Sequence, residues 1–431
     1  MNRLSYLIIM LILNTTVAFG QTISPCQALY GTYPTSFEGQ KCWLQYAFKD
    51  SIYVYGDKVA TNGIFYKPIK ISDTNITDYL NYKEGNNNFY LSKNYTAWGG
   101  NWYACRNGGI VNRFKGSQDY PNSRNLNWSA VKKMTKEELF KLSPSEKLDI
   151  YLNDSTFSVT KFELQKRGPE RQNREDDGFC GFCNGARIAG AIMPEPKKAV
   201  TLWSIGNNSQ EVTFSIGDIK ALLSAAYMHP SFTFSLGLPD EENGNNNPNA
   251  GIFDLFIRLY LGKNQIPFVI DDAFGKAIFN ETVLGYKRTL SEEKPLSTQE
   301  RTVYPTSQKA VSVNLTLYLQ DELSYESSEQ ETIVIMADST KALNKVEPAA
   351  VHQRWVHKKN YKYILYLDNN GRVQDGKWIG EPVDFAWAAH GNGNEDENIQ
   401  TNDTPGLPKS DRNKAIKWYQ IKFILTQSLV P

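Results

Sequence analysis

An α+β fold is predicted by two patterns that occupy different parts of the chain. Helix-start signals crowd residues 135–230, and runs with strand character crowd the region beyond 290, so the two kinds of element are largely segregated. The 431 residues, 41% of them apolar, suffice for about two or three domains with sizeable cores. Lys and Arg number 47 against 46 Asp and Glu, a formal charge of +1. That balance gives no basic excess of the kind nucleic acid or an anionic membrane surface selects, and neither is expected as a partner.

The helical elements rest on local chemistry. Thr135 precedes Lys136-Glu137-Glu138, and Ser143-Pro144-Ser145-Glu146 sets a capping Ser, a Pro at the first helical position and a Glu at the third, predicting a helix over 144–152. A further helix is predicted over 218–228, where Ile219, Leu222, Leu223, Ala226 and Tyr227 share one face. The Asn- and Pro-rich stretch 238–250 is a loop by its turn signals. After it, the odd positions Phe253, Leu255, Ile257, Leu259 and Leu261 are apolar while Asp254 and Arg258 fall on even positions. This predicts a hairpin over 253–271 that turns at 262–265 and places Asp254 diagonal to Asp271, at about 7 Å across the ladder. Strands are predicted over 311–319, 331–336 and 361–367, the last followed by the turn Asp368-Asn369-Asn370-Gly371. Residues 21–130 are rich in Gly, Asn, Tyr and Trp with short strand-like runs at 51–55 and 64–71, and read as a β-rich N-terminal module.

Arg3, the apolar run 6–13 and Ala18-Phe19-Gly20 before Gln21 read as a secretory signal over residues 1–20. The run is shorter than the roughly 20 apolar residues needed to span a bilayer, so a secreted protein, extracellular or periplasmic, without a membrane anchor is expected. In an oxidising compartment the five cysteines can form two bridges and leave one thiol. Cys183 opens the small-residue segment Cys183-Asn184-Gly185-Ala186-Arg187-Ile188-Ala189-Gly190-Ala191-Ile192-Met193-Pro194, a short helix whose positive end favours thiolate. Cys180 and Cys183 also have the spacing of a redox pair or half a zinc site, but no second pair completes a metal set, so no metal is expected there. A bridge between Cys180 and Cys183, or a buried inert thiol, is the structural alternative.

Several ordered blocks resemble the secreted transglutaminase elicitor family over about residues 135–390. They are the Cys-Asn-Gly segment followed by small residues and Pro194-Glu195-Pro196, Leu142-Ser143-Pro144-Ser145-Glu146-Lys147-Leu148-Asp149, Asp218-Ile219-Lys220-Ala221-Leu222, Phe268-Val269-Ile270-Asp271 leading into Ile278-Phe279-Asn280-Glu281-Thr282-Val283, and Gly376-Lys377-Trp378 with Asp384-Phe385-Ala386-Trp387. The resemblance implies a papain-like, transglutaminase-like core over 131–290 with a β-rich C-terminal extension over 291–431. It also implies a reaction: thiolate attack on a protein glutamine, loss of ammonia, and acyl transfer to a lysine side chain or a small amine. By it Cys183 is the nucleophile, Asp271 the orienting acid, and Asn184, Gly185, Phe279 and Asn280 support the site. Glutamine- and lysine-bearing proteins, such as a host-surface protein, are the implied partners, and no cofactor is.

The family's general-base His falls at Asp254, so the dyad here reads Asp254–Asp271. A carboxylate with an ordinary pKa near 4 is a poor base for a thiol near 8.5. The sequence therefore leaves three readings: an active acyltransferase, a family member that binds without turnover, and a papain-like thiol protease. His229, His352, His357 and His390 read as surface or structural residues, with His357 the best placed of them for a catalytic role. The acidic loop 394–398 has the oxygen ligands for a loose Ca²⁺ site, though a solvated charge run is the better reading.

Overall fold

The computed structural model describes residues 29, 35–50, 52–55, 68–71, 76–91, 97–113, 127–168, 170–171, 180–206, 210–228, 230–237, 246–273, 278–330, 332, 355–392 and 413–430. The predicted signal segment, the predicted strand over 331–336 apart from residue 332, His229, His352 and the acidic loop 394–398 lie outside them. The helices that organise the chain are α1 (Phe37–Asp50), α2 (Lys136–Phe140), α3 (Pro144–Tyr151), α4 (Ser158–Lys166), α5 (Cys183–Ile192), α6 (Ile216–Ala226), α7 (Ala250–Ile257) and α8 (Trp418–Leu429). Among the described residues no helix is long and apolar enough to cross a membrane.

Three of these helices open on capping boxes, and the first two start where the sequence says they should. The side chains of Thr135, Ser143 and Ser215 each accept from the backbone N–H three residues on. Glu138, Glu146 and Asp218 answer by accepting from the capping residue's own N–H. The helix predicted over 218–228 thus begins two residues earlier, at Ile216.

The strands run in chain order as β1 (Ile52–Tyr55), β2 (Pro68–Ile71), β3 (Asn88–Tyr90), β4 (Val200–Trp203), β5 (Glu211–Phe214), β6 (Pro230–Leu236), β7 (Phe268–Asp271), β8 (Asn280–Leu290), β9 (Lys294–Pro295), β10 (Lys309–Gln320), β11 (Val356–Leu367), β12 (Val373–Trp378) and β13 (Ala386–Asn392). The main sheet has the order β12-β11-β10-β8-β7-β13-β6, with β3 added on β8 and β9 on β10, and its recorded pairings are antiparallel.

Alternation along the strands sorts side chains onto two cores. On one face Phe268 and Ile270 of β7, the odd residues 311–319 of β10, and Tyr361, Tyr363, Leu365 and Leu367 of β11 pack with α7. On the other face Val269 of β7 and Trp387 of β13 pack with α5, α6 and α8. The sheet therefore stands between α5, which begins at Cys183, and α7, which carries Asp254.

Two expectations fail here. The first strand of the predicted 253–271 hairpin is instead α7, continued by one π-helical stretch at Arg258–Lys263. The odd-position pattern was real, but Ile252, Phe256 and Tyr260 on even positions are apolar as well, and all are buried. A helix enclosed on every side has no polar face, so its period does not show. Asn249 caps it by accepting from the Gly251 N–H at 2.9 Å. Only the returning strand of that hairpin, β7, is found.

The described part of residues 21–130 holds the two predicted strand runs as β1 and β2, but it is not a separate β module. It contains α1, and it feeds both cores, with Phe37, Leu44 and Phe89 on the α7 side and Trp98, Tyr103 and Ile110 on the α5 side.

Candidate active site

Residues 98–105 hold α5 at both ends. At its start, the Cys105 N–H donates to Cys180 O at 2.8 Å and the Phe182 N–H to Trp102 O at 2.5 Å, and Cys105 and Cys180 are joined as a disulfide. At its end, the Trp98 indole N–H donates to Met193 O at 2.8 Å, satisfying a carbonyl of the terminating turn before Pro194. Gly185 is required where α5 crosses α6, because a Cβ there would lie 2.1 Å from Ser224 O. Asn184 fixes the same crossing, its Nδ2 donating to Met228 O at 3.0 Å.

Cys183 is a free, half-buried thiol at the first position of α5. This excludes the Cys180–Cys183 bridge. Cys42 is disulfide-bonded too, to a partner outside the described residues. The side-chain amide of Asn280, at the start of β8, donates from Nδ2 to Cys183 Sγ at 3.4 Å, and Ile278 O lies 4.0 Å from the sulfur. Trp387 decides which way that amide faces: its indole N–H donates to Asn280 Oδ1 at 2.9 Å, which leaves Nδ2 for the thiol. Burial pushes the Cys183 thiol above its ordinary value; the Asn280 contacts, the Arg187 charge one turn along α5 and the Asn184 backbone N–H oppose the shift without cancelling it.

Asp271 stands directly opposite Asn280 in the β7–β8 register and therefore on the same sheet face. Its Oδ1 accepts from the N–H groups of Phe279 at 2.8 Å and Ala273 at 3.1 Å, while its buried Oδ2 has no hydrogen-bond partner. Burial pushes this carboxyl up to about 7 in spite of those two donors. Phe279 itself is 41% exposed at the rim.

Asp254 is not part of this constellation. It is fully buried on the opposite face, where Arg258 Nε donates to its Oδ2 at 2.9 Å, Arg288 Nη2 to the same oxygen at 3.2 Å, and the Tyr363 hydroxyl to Oδ1 at 2.6 Å. Arg288 lies eight residues along β8 from Asn280, about 26 Å at 3.3 Å per residue. The predicted Asp254–Asp271 dyad thus separates into an internal ion cluster and a lone site carboxyl.

His357, at the start of β11, lies between Asp321, 2.6 Å from its Nδ1, and Asp272, 3.8 Å from its Nε2. Asp272 and Asp321 together raise its pKa to about 9. His390 lies in β13. Among the described residues no group of three or more His, Cys, Asp or Glu is arranged to hold a metal ion.

Sequence reasoning missed Trp387 as the residue that orients Asn280, Arg187 as the cation beside the thiol, and Trp102 and Cys105 as its mounting. Trp387 stood in a recognised block, Asp384-Phe385-Ala386-Trp387, and that was its only signal.

The fold and this site define an α+β protein with a free thiol at a helix start bonded by an amide on one strand, and a buried carboxyl opposite that amide on the neighbouring strand. The same overall fold is found in the crystal structure of the GP42 transglutaminase from Phytophthora sojae, with a TM-score of 0.53 at 17% identity over 80% of this chain and 92% of that one. No curated protein matches the chain. Residues 241–402 match the family model described as transglutaminase elicitor. The match takes in Asp254, Asp271, Phe279, Asn280, His357 and Trp387, and it begins beyond Cys183.

Proposed function

We propose that this is a secreted acyltransferase of the transglutaminase type, with Cys183 as nucleophile and Asp271 as proton acceptor in place of an imidazole. The observation that carries the reading is the convergence on one sheet face of a free helix-start thiol, an amide turned toward it by Trp387, and a carboxyl whose pKa of about 7 suits a base at neutral pH. In the reaction the thiol proton passes to Asp271 as Sγ bonds the glutamine carboxamide carbon. Asn280 Nδ2 and the N-terminal amides of α5 stabilise the oxyanion. The C–N bond breaks, ammonia leaves with the proton held by Asp271, and an amine then displaces sulfur from the thioester.

A second reading, binding without turnover, is favoured by one observation: the groups that bond the thiol, Asn280 and Ile278, are not bases, and Asp254, expected beside it, is locked in an arginine cluster on the other face of the sheet. Incorporation of a biotinylated pentylamine into dimethylated casein separates the two. Acyl transfer predicts labelling that Cys183→Ala abolishes and Asp271→Asn reduces by about 10²–10⁴. No incorporation between pH 6 and 9 by folded wild-type protein would overturn the acyltransferase reading.

A further inference from the structure

The ladder between β8 and β10 ends at the Val283–Leu319 pair, while β8 continues to Asn280 on β7. Beyond Val283, the edge of β8 that faced β10 carries main-chain groups that β10 does not meet. Asn280 O is one of them. Carbonyls alternate along a strand, and Phe279 O faces β7, where it accepts from the Asp272 N–H at 3.2 Å, so the next carbonyl faces the other way.

Arg187 fills this gap. It is 3% exposed and follows Cys183 by four residues, so the face of α5 that carries the sulfur also carries the guanidinium one turn along. Its Nε donates to Asn280 O at 2.9 Å, its Nη1 to Asp321 O, just past the end of β10, at 3.3 Å, and its Nη2 to Glu281 Oε1 at 3.3 Å. A planar guanidinium offers donors in separate directions, whereas an ammonium is a compact point charge. The far anchor is itself fixed: the Asp321 N–H donates to Trp355 O at 2.8 Å, and Asp321 Oδ1 lies 2.6 Å from His357 Nδ1. Asn280 is thus held through its side-chain oxygen by Trp387 and through its main-chain oxygen by Arg187.

We propose that Arg187 is a positioning residue of the thiol site: it closes the gap past the β8–β10 ladder and thereby keeps the Asn280 amide on Cys183 Sγ. This differs from the effect of its charge alone, which a lysine would also supply. The placement of the amide concerns the free thiol and stands without the acyltransferase reading; its service to the oxyanion rests on that reading.

The test is the rate of Cys183 alkylation by iodoacetamide against pH, in single and double variants. Asn280→Leu in otherwise wild-type protein is expected to move the curve to higher pH and to slow alkylation at pH 8 by about threefold or more. Arg187→Lys keeps a cation beside Glu281, so the fold is retained, but it cannot span Asn280 O and Asp321 O together. It should move the curve in the same direction, and adding Asn280→Leu to it should change the rate by less than about 1.5-fold, because the amide has already left the sulfur. Should Arg187→Lys fail to fold, Arg187→Gln with Glu281→Gln leaves no unpaired buried charge and should show the same insensitivity to Asn280→Leu. A curve that Arg187→Lys leaves in place, equal slowing by Asn280→Leu with and without Arg187, or a wild-type curve that Asn280→Leu does not move would each overturn the proposal. Coupling between the two substitutions in a protein that incorporates no amine would keep the positioning role and remove the acyltransferase reading.

Discussion

Replacing Asp254 by Asn tests whether this carboxylate is a structural counter-charge rather than part of the thiol site. The carboxylate is fully buried and is shared by Arg258, Arg288 and the Tyr363 hydroxyl. An isosteric amide keeps the volume but leaves two buried guanidinium groups without a counter-charge. Removing one partner of a buried pair typically costs about 3–5 kcal/mol, and two orphaned cations place this site at the upper end. That is a large share of the roughly 5–15 kcal/mol by which a folded protein is stable. With a urea slope of about 3 kcal/mol per molar, the midpoint should fall by about 1–2 M. The same protein, below its transition, should alkylate at Cys183 with an unchanged dependence of iodoacetamide rate on pH, because the sheet separates the two sites. A shifted rate–pH curve in the folded variant, or a midpoint change under about 0.3 M at that slope, would refute the placement of Asp254.

Two further outcomes follow from the geometry. Gly185→Ala drives a Cβ onto the backbone oxygen of Ser224, which cannot rotate away, so α5 and α6 must part; thermal unfolding should show a loss of about 1–3 kcal/mol or more, together with faster alkylation of Cys183. His357, with its pKa raised to about 9 in the fold, stabilises fully below the unfolded value of about 6.5 and progressively less as pH rises from there through 9. His357→Gln should flatten that fall in urea titrations between pH 6 and 9.5, and an unchanged slope would show that Asp272 and Asp321 do not hold the imidazolium.

What was legible in the sequence was local. The helix-start signals at Thr135 and Ser143 fix helix starts within three residues of chain, and Cys183 could be placed at a helix start because small residues follow it and Pro194 stops the run. The turn at 368–371 likewise predicted the β11–β12 hairpin. What misled was burial on all sides. In α7 the strand-like alternation of Phe253, Leu255 and Ile257 coexists with helical spacing of Ile252, Phe256 and Tyr260, and only the surrounding core selects the helix. The carboxyl expected beside the thiol therefore moved to the other face of the sheet. Asp271 kept its strand, and its pairing with Asn280 joins residues nine apart through a loop whose closure no local signal reveals. The tie of the N-terminal region to the core was invisible because Trp102 and Cys105 meet residues 180–182 across some 75 positions of chain.

The direction of two pKa shifts sets how the proposed reaction should depend on pH. Burial raises the Cys183 thiol above its ordinary value and brings the Asp271 carboxyl to about 7, so the carboxylate forms at a lower pH than the thiolate. Moving the proton from sulfur to Asp271 is then uphill, and the charge created on sulfur has Asn280 and Arg187 but no imidazolium to receive it. An imidazole-paired thiol is already ionised at neutral pH; this one is not. The rate of acyl transfer should therefore keep rising beyond pH 7, following the thiol after the carboxyl has titrated, and removing the Asn280 amide by substitution with Leu should push that rise to still higher pH. A rate that levels off near pH 7 would mean that Asp271 alone limits the reaction and that the thiol is ionised by a group not assigned to it here.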